Sequence, residues 1–401
     1  MSEVSQQDNI EEIAKVIDIP DTSYETAYKR YRDLGVWLSD PRAQCSRYSP
    51  HIYPQGSFRL GTVIRPIGED EEYDLDMGCR LQEGISKFEW SQERLKNLVG
   101  DDLEGYRVMR QIQNELEEKH RCWCLNYKDD LSFHMDIVPS IPEQYEFRKS
   151  LSESMIARGT DKTLAVSVAE HAGSITDNLL PHYPDINPDW YVSNSVGYAI
   201  WFESRMQLGL DKSVKRLQES RIDKLPLYKQ RAPLQRCVQV LKRHRDTMFA
   251  DNLDAKPASI IITTLAARAY QGESDVTTAT VNVLRHMGDL VHAELPRIPN
   301  PINPKEDFSD RWRKETGIAL QLEANFWKWL EQAKADIGAF SMSNDADYLL
   351  EKSASSFKAE VDPVELKRRL SLRSNTAFAI GGVATQVPCS PVDHRGGERF
   401  G

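Results

Sequence analysis

The chain has 401 residues, 51 Lys and Arg against 61 Asp and Glu, a net charge of −10, and is 40% hydrophobic and 28% charged. That suits a globular protein of two or three domains; no run of about 18 apolar residues signals a membrane span, and the polar, acidic start lacks the basic and apolar regions of a signal peptide, so the cytoplasm is the expected compartment. The acidic balance makes long duplex nucleic acid a poor partner, because phosphate contacts need clustered Lys and Arg, whereas the local cluster Lys242-Arg243-His244-Arg245 suits a small phosphorylated ligand.

Ile10, Ile13 and Ile17 recur at helical spacing over residues 9–18, and Pro20 ends the pattern. A second helix, capped at Asp21 or Thr22, carries Tyr24, Ala27, Tyr28, Tyr31 and Leu34 on one stripe and ends near Trp37. It is long enough to act as a spine. Residues 47–54 read as a strand entering the turn Gly56-Ser57, and 58–64 continue as a helical turn or a strand. An acidic loop, residues 67–72, precedes a strand over Tyr73–Leu81.

Residues 88–99 and 101–119 read as two helices separated by Gly100. Cys122–Tyr127 and Leu131–Val138 then form a hairpin around Lys128-Asp129-Asp130. This order predicts a small mixed sheet with helices on one face. The six cysteines show no paired framework, and Cys122 and Cys124 lack the spacing of a zinc site, so buried strand thiols are expected. Residues 140–195 carry no legible periodicity; a turn at Asn187–Trp190 precedes a helix start at Gly197–Glu203.

From Pro226 the pattern is helical: Leu234–Met248, Ser259–Tyr270, and roughly 277–293, 311–335 and 346–352, with a punctuated loop at Pro299–Pro304. Periodicity ends near Thr385, and the glycine-containing end reads as a tail. The expected division is 1–225, 226–384 and 385–401.

Asp74 and Asp76, two apart on a strand, point to the same face. Side by side they repel unless a cation lies between them, and Mg²⁺ takes one or two carboxylates plus water and substrate phosphate oxygens. The Gly56-Ser57 turn supplies backbone N–H groups and a hydroxyl for phosphate oxygens. Asp136, among apolar neighbours in His134-Met-Asp-Ile-Val, is costly to bury unless paired or metal-bound, and is the natural third ligand. Each feature alone is commonplace; together they describe a metal–triphosphate site.

Gly56-Ser57, Asp74-Leu75-Asp76 and Asp136 resemble the GS…DxD…D signature of the polymerase-β-like nucleotidyltransferases. The fuller wording, Tyr53-Pro-Gln-Gly-Ser-Phe-Arg-Leu-Gly-Thr62, Tyr73-Asp-Leu-Asp76 and Phe133-His-Met-Asp-Ile-Val-Pro139, resembles the cGAS/DncV-like nucleotidyltransferases (CD-NTases) of bacterial anti-phage CBASS systems. So do Asp189-Trp190, Gly197-Tyr198, Trp201-Phe202, Leu234–Asp246 and Pro257–Leu265, over residues 45–270 in all.

The resemblance implies an α+β fold, a polymerase-β-like mixed sheet with a long N-terminal helix plus a helical C-terminal lobe, and an active site between them. It implies template-independent joining of nucleoside triphosphates, ATP among them, into a cyclic di- or trinucleotide. Two Mg²⁺ ions, replaceable by Mn²⁺, would be held by Asp74, Asp76 and Asp136. By position Lys242 and Ser259 match the residues that hold the donor triphosphate in these enzymes, while a solvated cation is the alternative for Lys242. For Arg59 and Thr62 a phosphate contact and a structural role stay open. The resemblance also implies a nucleotide-activated effector and, in some members, an E1/E2-like partner that conjugates the C-terminal residue, here Gly401; a frayed end without a role is the alternative. The His and Cys cluster of the animal sensor's DNA-binding zinc module is missing. A transferase that modifies a protein, RNA or small-molecule acceptor shares the same carboxylates.

Overall fold

In the computed structural model, which describes residues 8–68, 73–127, 133–209 and 231–371, the first two amphipathic stretches are helices α1 (Asp8–Val16) and α2 (Asp21–Leu38). α2 buries Tyr24, Ala27, Tyr31 and Leu34, most of the expected stripe, against the sheet. Its Tyr31 hydroxyl donates to the Ile52 carbonyl at 3.0 Å, fixing the spine to the first strand.

The strands are β1 (Pro50–Pro54), β2 (Tyr73–Leu81), β3 (Glu117–Glu118), β4 (Trp123–Tyr127), β5 (Phe133–Pro142), β6 (Gly173–Ile175) and β7 (Tyr191–Ser193). They run in the order β1-β2-β5-β4-β3, with β6 on the far end of β5 and β7 beside it. The expected hairpin is the antiparallel pair β4–β5. β2 and β5 are parallel, with Asp76 opposite Asp136 and Asp74 opposite His134. Their inward residues Leu75, Met77, Cys79, Met135 and Ile137 have no exposed surface, as central strands covered by helices require.

Residues 56–60 form a short helix, α3 (Gly56–Leu60), which settles the open choice over 58–64. Gly100 does not separate a pair of helices. It lies inside α4 (Gln92–Met109), where an added Cβ would come 2.5 Å from the Trp123 indole, so its smallness serves helix-on-sheet packing. After α4 the chain turns through residues 110–116 into β3 instead of continuing as helix to 119. The segment that carried no legible periodicity holds the end of β5, α5 (Tyr145–Ala157), α6 (Lys162–Ala169), β6 and β7.

The remaining helices are α7 (Ser195–Met206), α8 (Pro233–Met248), α9 (Ser259–Ala269), α10 (Val276–Met287), α11 (Glu315–Ala319), α12 (Leu322–Met342) and α13 (Ala346–Phe357). One apolar cluster joins α2, the sheet and α4. A second joins α8 to α13 and takes in Ile10, Ile13 and Ile17 of the N-terminal segment with Tyr198 and Phe202 of α7. The chain therefore crosses between the two cores more than once. The expected boundaries near 225 and 384, and Gly401, lie outside the described residues. Among the described residues, no helix is long and apolar enough to cross a membrane.

Candidate active site

The parallel register of β2 and β5 brings Asp74, Asp76 and Asp136 together, each offering a carboxylate oxygen within 4.8 Å of the others. Asp74 is exposed and Asp76 and Asp136 are half-buried. Burial, then the Asp74 and Asp136 charges, push the Asp76 carboxyl up to about 7. Two basic groups partly balance the cluster. His134 Nε2 is 3.2 Å from Asp74 Oδ1, and that bond raises its pKa. Lys119 Nζ lies 2.9 and 3.1 Å from the two oxygens of Asp136. Three converging carboxylates are a hard oxygen donor set that fits Mg²⁺ or Mn²⁺.

Gly56 opens α3 in the left-handed region, at φ +57°, and its backbone passes so close to Asp76 that a Cβ would sit 2.0 Å from Oδ2. The Gln55 amide donates to the Asp76 carbonyl at 2.8 Å, prolonging the β1–β2 ladder up to the turn. The turn and the carboxylates are thus one rigid unit. Gly61, at φ +65°, ends α3, and the Thr62 amide donates back to the Ser57 carbonyl at 2.9 Å.

One face of α8 follows the chain just after that turn. Gln235 donates to the Leu60 carbonyl at 2.8 Å, Gln239 to Val63 at 2.7 Å and Lys242 to Thr62 at 3.0 Å. Arg231 and Arg243 reach the carbonyls of Gly61 and Arg65. Asp18, just past α1, accepts from Arg231, Arg236 and Gln239 at 2.7 to 3.1 Å. Polar side chains at i, i+4, i+7 and i+8 (235, 239, 242 and 243) meet a loop whose carbonyls have no strand partner. That explains why they are buried.

Gly56, Ser57, Asp74, Asp76, Lys242 and Ser259 line a single cleft of about 480 Å³, together with Thr62, Arg245, Asp246 and Lys256. Asp136 borders it through the carboxylate cluster. Lys242 is not a solvated cation: it is 7% exposed, and burial, with Arg245 adding like charge, lowers its pKa to about 8. Ser259 Oγ, at the start of α9, accepts from Arg245 Nη1 at 2.8 Å, and Arg245 also holds Asp246 at 2.8 Å. Lys256 reaches Asp246 at 3.1 Å. Burial alone would raise the Asp246 carboxyl; Arg245 and Lys256 keep it below the usual range. Arg59 pairs with Glu203 of α7, a contact that joins the turn to the helical side, and Thr62 offers its carbonyl to Lys242.

Sequence reasoning does not single out Lys119, His134, Asp246 or Lys256, and reaches Arg245 only as a member of a basic cluster. His134 is findable, since it is two residues from Asp136 on the same strand face. Lys119 is not, because its register follows from β3 pairing with β4. Cys124 on β4 and Cys122, one residue before that strand, are buried thiols pushed up to about 12 by burial, Asp136 adding to it.

Residues 50–139, from β1 almost to the end of β5, match the family model for the cyclic GMP-AMP synthase DncV-like nucleotidyltransferase domain. The chain is 28% identical over 313 residues to a c-di-GMP synthase of Roseivirga ehrenbergii, covering 76% of this chain and 73% of the relative. It is 23% identical to cyclic dinucleotide synthase CdnG of Bradyrhizobium diazoefficiens, covering 75% and 68%. Among solved structures, the CdnG–GTP complex of B. diazoefficiens superposes with a TM-score of 0.59 at 20% identity over 93% of this chain and 99% of that one. Vibrio cholerae DncV with a linear intermediate gives 0.51 at 16% identity, over 90% and 88%.

Proposed function

We propose that this chain joins nucleoside triphosphates into a cyclic dinucleotide, a reading supported by the match of residues 50–139 to the DncV-like nucleotidyltransferase-domain model. The observation that carries this reading is the cleft itself. Asp74 and Asp76, with Asp136 clustered beside them, share the cleft with Lys242, Ser259 and the Gly56-Ser57 turn. In each transfer a ribose hydroxyl oxygen forms a bond to an α-phosphorus, the α–β phosphoanhydride bond breaks, pyrophosphate leaves and the hydroxyl proton is lost. A second transfer closes the ring.

Asp74, Asp76 and Asp136 would hold two Mg²⁺ ions, with Mn²⁺ as a substitute. Metal held there would supply Lewis acidity for the attacking hydroxyl and for the departing pyrophosphate. The Gly56-Ser57 turn holds phosphate oxygens through its backbone N–H groups and hydroxyl. Lys242 supplies a point charge for the triphosphate, and Ser259 a hydroxyl oriented by Arg245. The relative's name makes GTP the first substrate to try, and ATP, expected from the family, the second. The messenger would act on a nucleotide-gated effector in anti-phage defence. An E1/E2-like partner acting at Gly401 is the further partner that the family suggests.

The test is incubation with each labelled NTP, singly and in mixtures, with Mg²⁺ or Mn²⁺, followed by phosphatase and mass spectrometry. A phosphatase-resistant cyclic product that disappears in Asp74→Ala and Asp76→Ala is expected. No resistant product under any mixture overturns the proposal. A single nucleotide left on an acceptor would point to acceptor modification instead.

A further inference from the structure

Away from the cleft, Arg158, Arg205 and Arg268 line a second cavity of about 240 Å³, and among the described residues no carboxylate pairs with any of them. Arg158 follows α5, Arg205 is on α7 and Arg268 on α9; Thr160, Trp201 and the loop from Pro299 complete the walls. In a chain of net charge −10, three guanidinium groups with no carboxylate partner among the described residues around one cavity are a conspicuous imbalance.

Two of the three are anchored without being neutralised. Arg205 donates to the Ala267 and Tyr270 carbonyls, each at 2.8 Å, and Arg268 to the Pro299 carbonyl at 2.8 Å. These bonds fix the planes of the guanidinium groups and leave other N–H donors over. Burial lowers the pKa of both, and the charge of Arg158 adds to the effect at Arg268. Arg158 itself is exposed, and its guanidinium donates to no described residue. Asn300 is already committed, its amide holding Glu306 at 2.7 Å, and Glu306 does not line the cavity.

We propose that this cavity is a binding site for a compact phosphate-bearing anion, distinct from the nucleotide cleft. Preorganised guanidinium groups recognise phosphate oxygens through paired N–H donors. A volume of about 240 Å³ falls below the usual small-molecule pocket of roughly 300–1,000 Å³, which favours a phosphate or small phosphate ester over a whole nucleotide. Two elements connect the cavity to the cleft. α9 begins with Ser259 in the cleft and carries Arg268 near its other end. α7 carries Arg205 and, two residues earlier, Glu203, which holds Arg59 of the phosphate turn. An anion that ties α5, α7 and α9 together therefore stiffens both walls of the cleft, and it acts as a regulator rather than a substrate.

The experiment follows the melting temperature of the full chain in EDTA against added inorganic phosphate, with chloride keeping ionic strength constant. It needs no turnover, so it succeeds or fails independently of the cyclase reading. Wild type and the cleft variant Lys242→Gln should both be stabilised, by a few degrees at saturating phosphate. Arg158→Gln, which removes an exposed side chain with no hydrogen bond to a described residue, should keep its fold and lose the shift. Arg158→Lys should keep some of it. A second arm with glycerol 3-phosphate tells the two sources apart: a shift with phosphate alone assigns the free ion, a shift with both an ester. Equal stabilisation of wild type and Arg158→Gln, loss of the shift in Lys242→Gln, or no shift in wild type each overturns the proposal.

Discussion

A methyl group on Gly56 would lie 2.0 Å from Oδ2 of Asp76, so the turn proposed to hold phosphates is built directly against a carboxylate proposed to bind metal. Gly56→Ala must displace one or the other. It also places a side chain at φ +57°, a strain of about 1–2 kcal/mol. Product formation should fall at least about 100-fold, the scale on which a displacement of about an ångström acts. Gly159→Ala is the control: it also has a positive φ, +88°, but an added Cβ meets nothing within 4 Å. It should lose a little stability and keep its rate. Equal rates for the two variants would show that the contact does not matter.

The Asp76 carboxyl, raised to about 7 against an ordinary 3.8, makes the metal-free protein sensitive to pH. Its folded pKa is raised, so its contribution to stability is fully present below about pH 4. It is lost as pH rises to about 7 and through it. In EDTA, Asp76→Asn should therefore raise the melting temperature more at pH 8 than at pH 5. Mg²⁺ should reverse the order at pH 8, stabilising wild type while leaving Asp76→Asn little changed, because binding draws on the carboxylate form. Differential scanning calorimetry with and without metal separates these outcomes, and identical pH dependence in both proteins would sink the idea.

Lys242, proposed above to hold the triphosphate, is buried as a cation at a cost to the fold. Burial and Arg245 bring its pKa to about 8, well below 10.5. The charged form is disfavoured on folding, and that penalty is complete below about pH 8. Lys242→Met should raise stability at pH 7 by on the order of 1–3 kcal/mol, after allowing for the lost bond to the Thr62 carbonyl. It should also raise the KM for the NTP substrate by about tenfold or more, the effect of losing one charged contact of about 1.4 kcal/mol. In wild type, the same KM should rise as pH passes 8 and the ammonium deprotonates. A destabilised Lys242→Met, or a KM flat from pH 7 to 9, would contradict this account.

Much of this site was legible because its elements are short-range. The turn, the Asp74/Asp76 pair and the hairpin bearing Asp136 are each set by spacing within one or two strands. What sequence did not convey depends on partners. Lys242 read equally well as a solvated cation, since nothing near it in sequence announces that α8 lies along the carbonyls of residues 60–65. Gly100 read as a break because its packing partner, Trp123, is 23 positions away. The segment 140–195 stayed opaque because its strands, β6 and β7, have three residues each and its helices are partly exposed.

Lys119 occupies the carboxylate that would take the third place in the metal shell, 2.9 and 3.1 Å from the oxygens of Asp136. The segment that carries it is fixed by the buried Lys96, whose ammonium donates to the carbonyls of Lys119 and His120, the latter at 3.0 Å. Burial would lower the pKa of Lys119, but the bond to Asp136 raises it, so the ammonium is charged across the working pH range. A cation entering the site must displace it or share Asp136 with it. An ion pair of this exposure is worth up to about 1 kcal/mol, or about a fivefold change in an equilibrium constant. Lys119→Met should therefore lower the Mg²⁺ concentration giving half-maximal rate by several-fold while the fold stays intact. Lys96→Met, which frees the whole segment, should instead lower stability. Should Lys119→Met raise the metal requirement, Lys119 would be steadying Asp136 for the metal rather than competing with it, and the site would have to be redrawn with the ammonium as a fixed component of the occupied state.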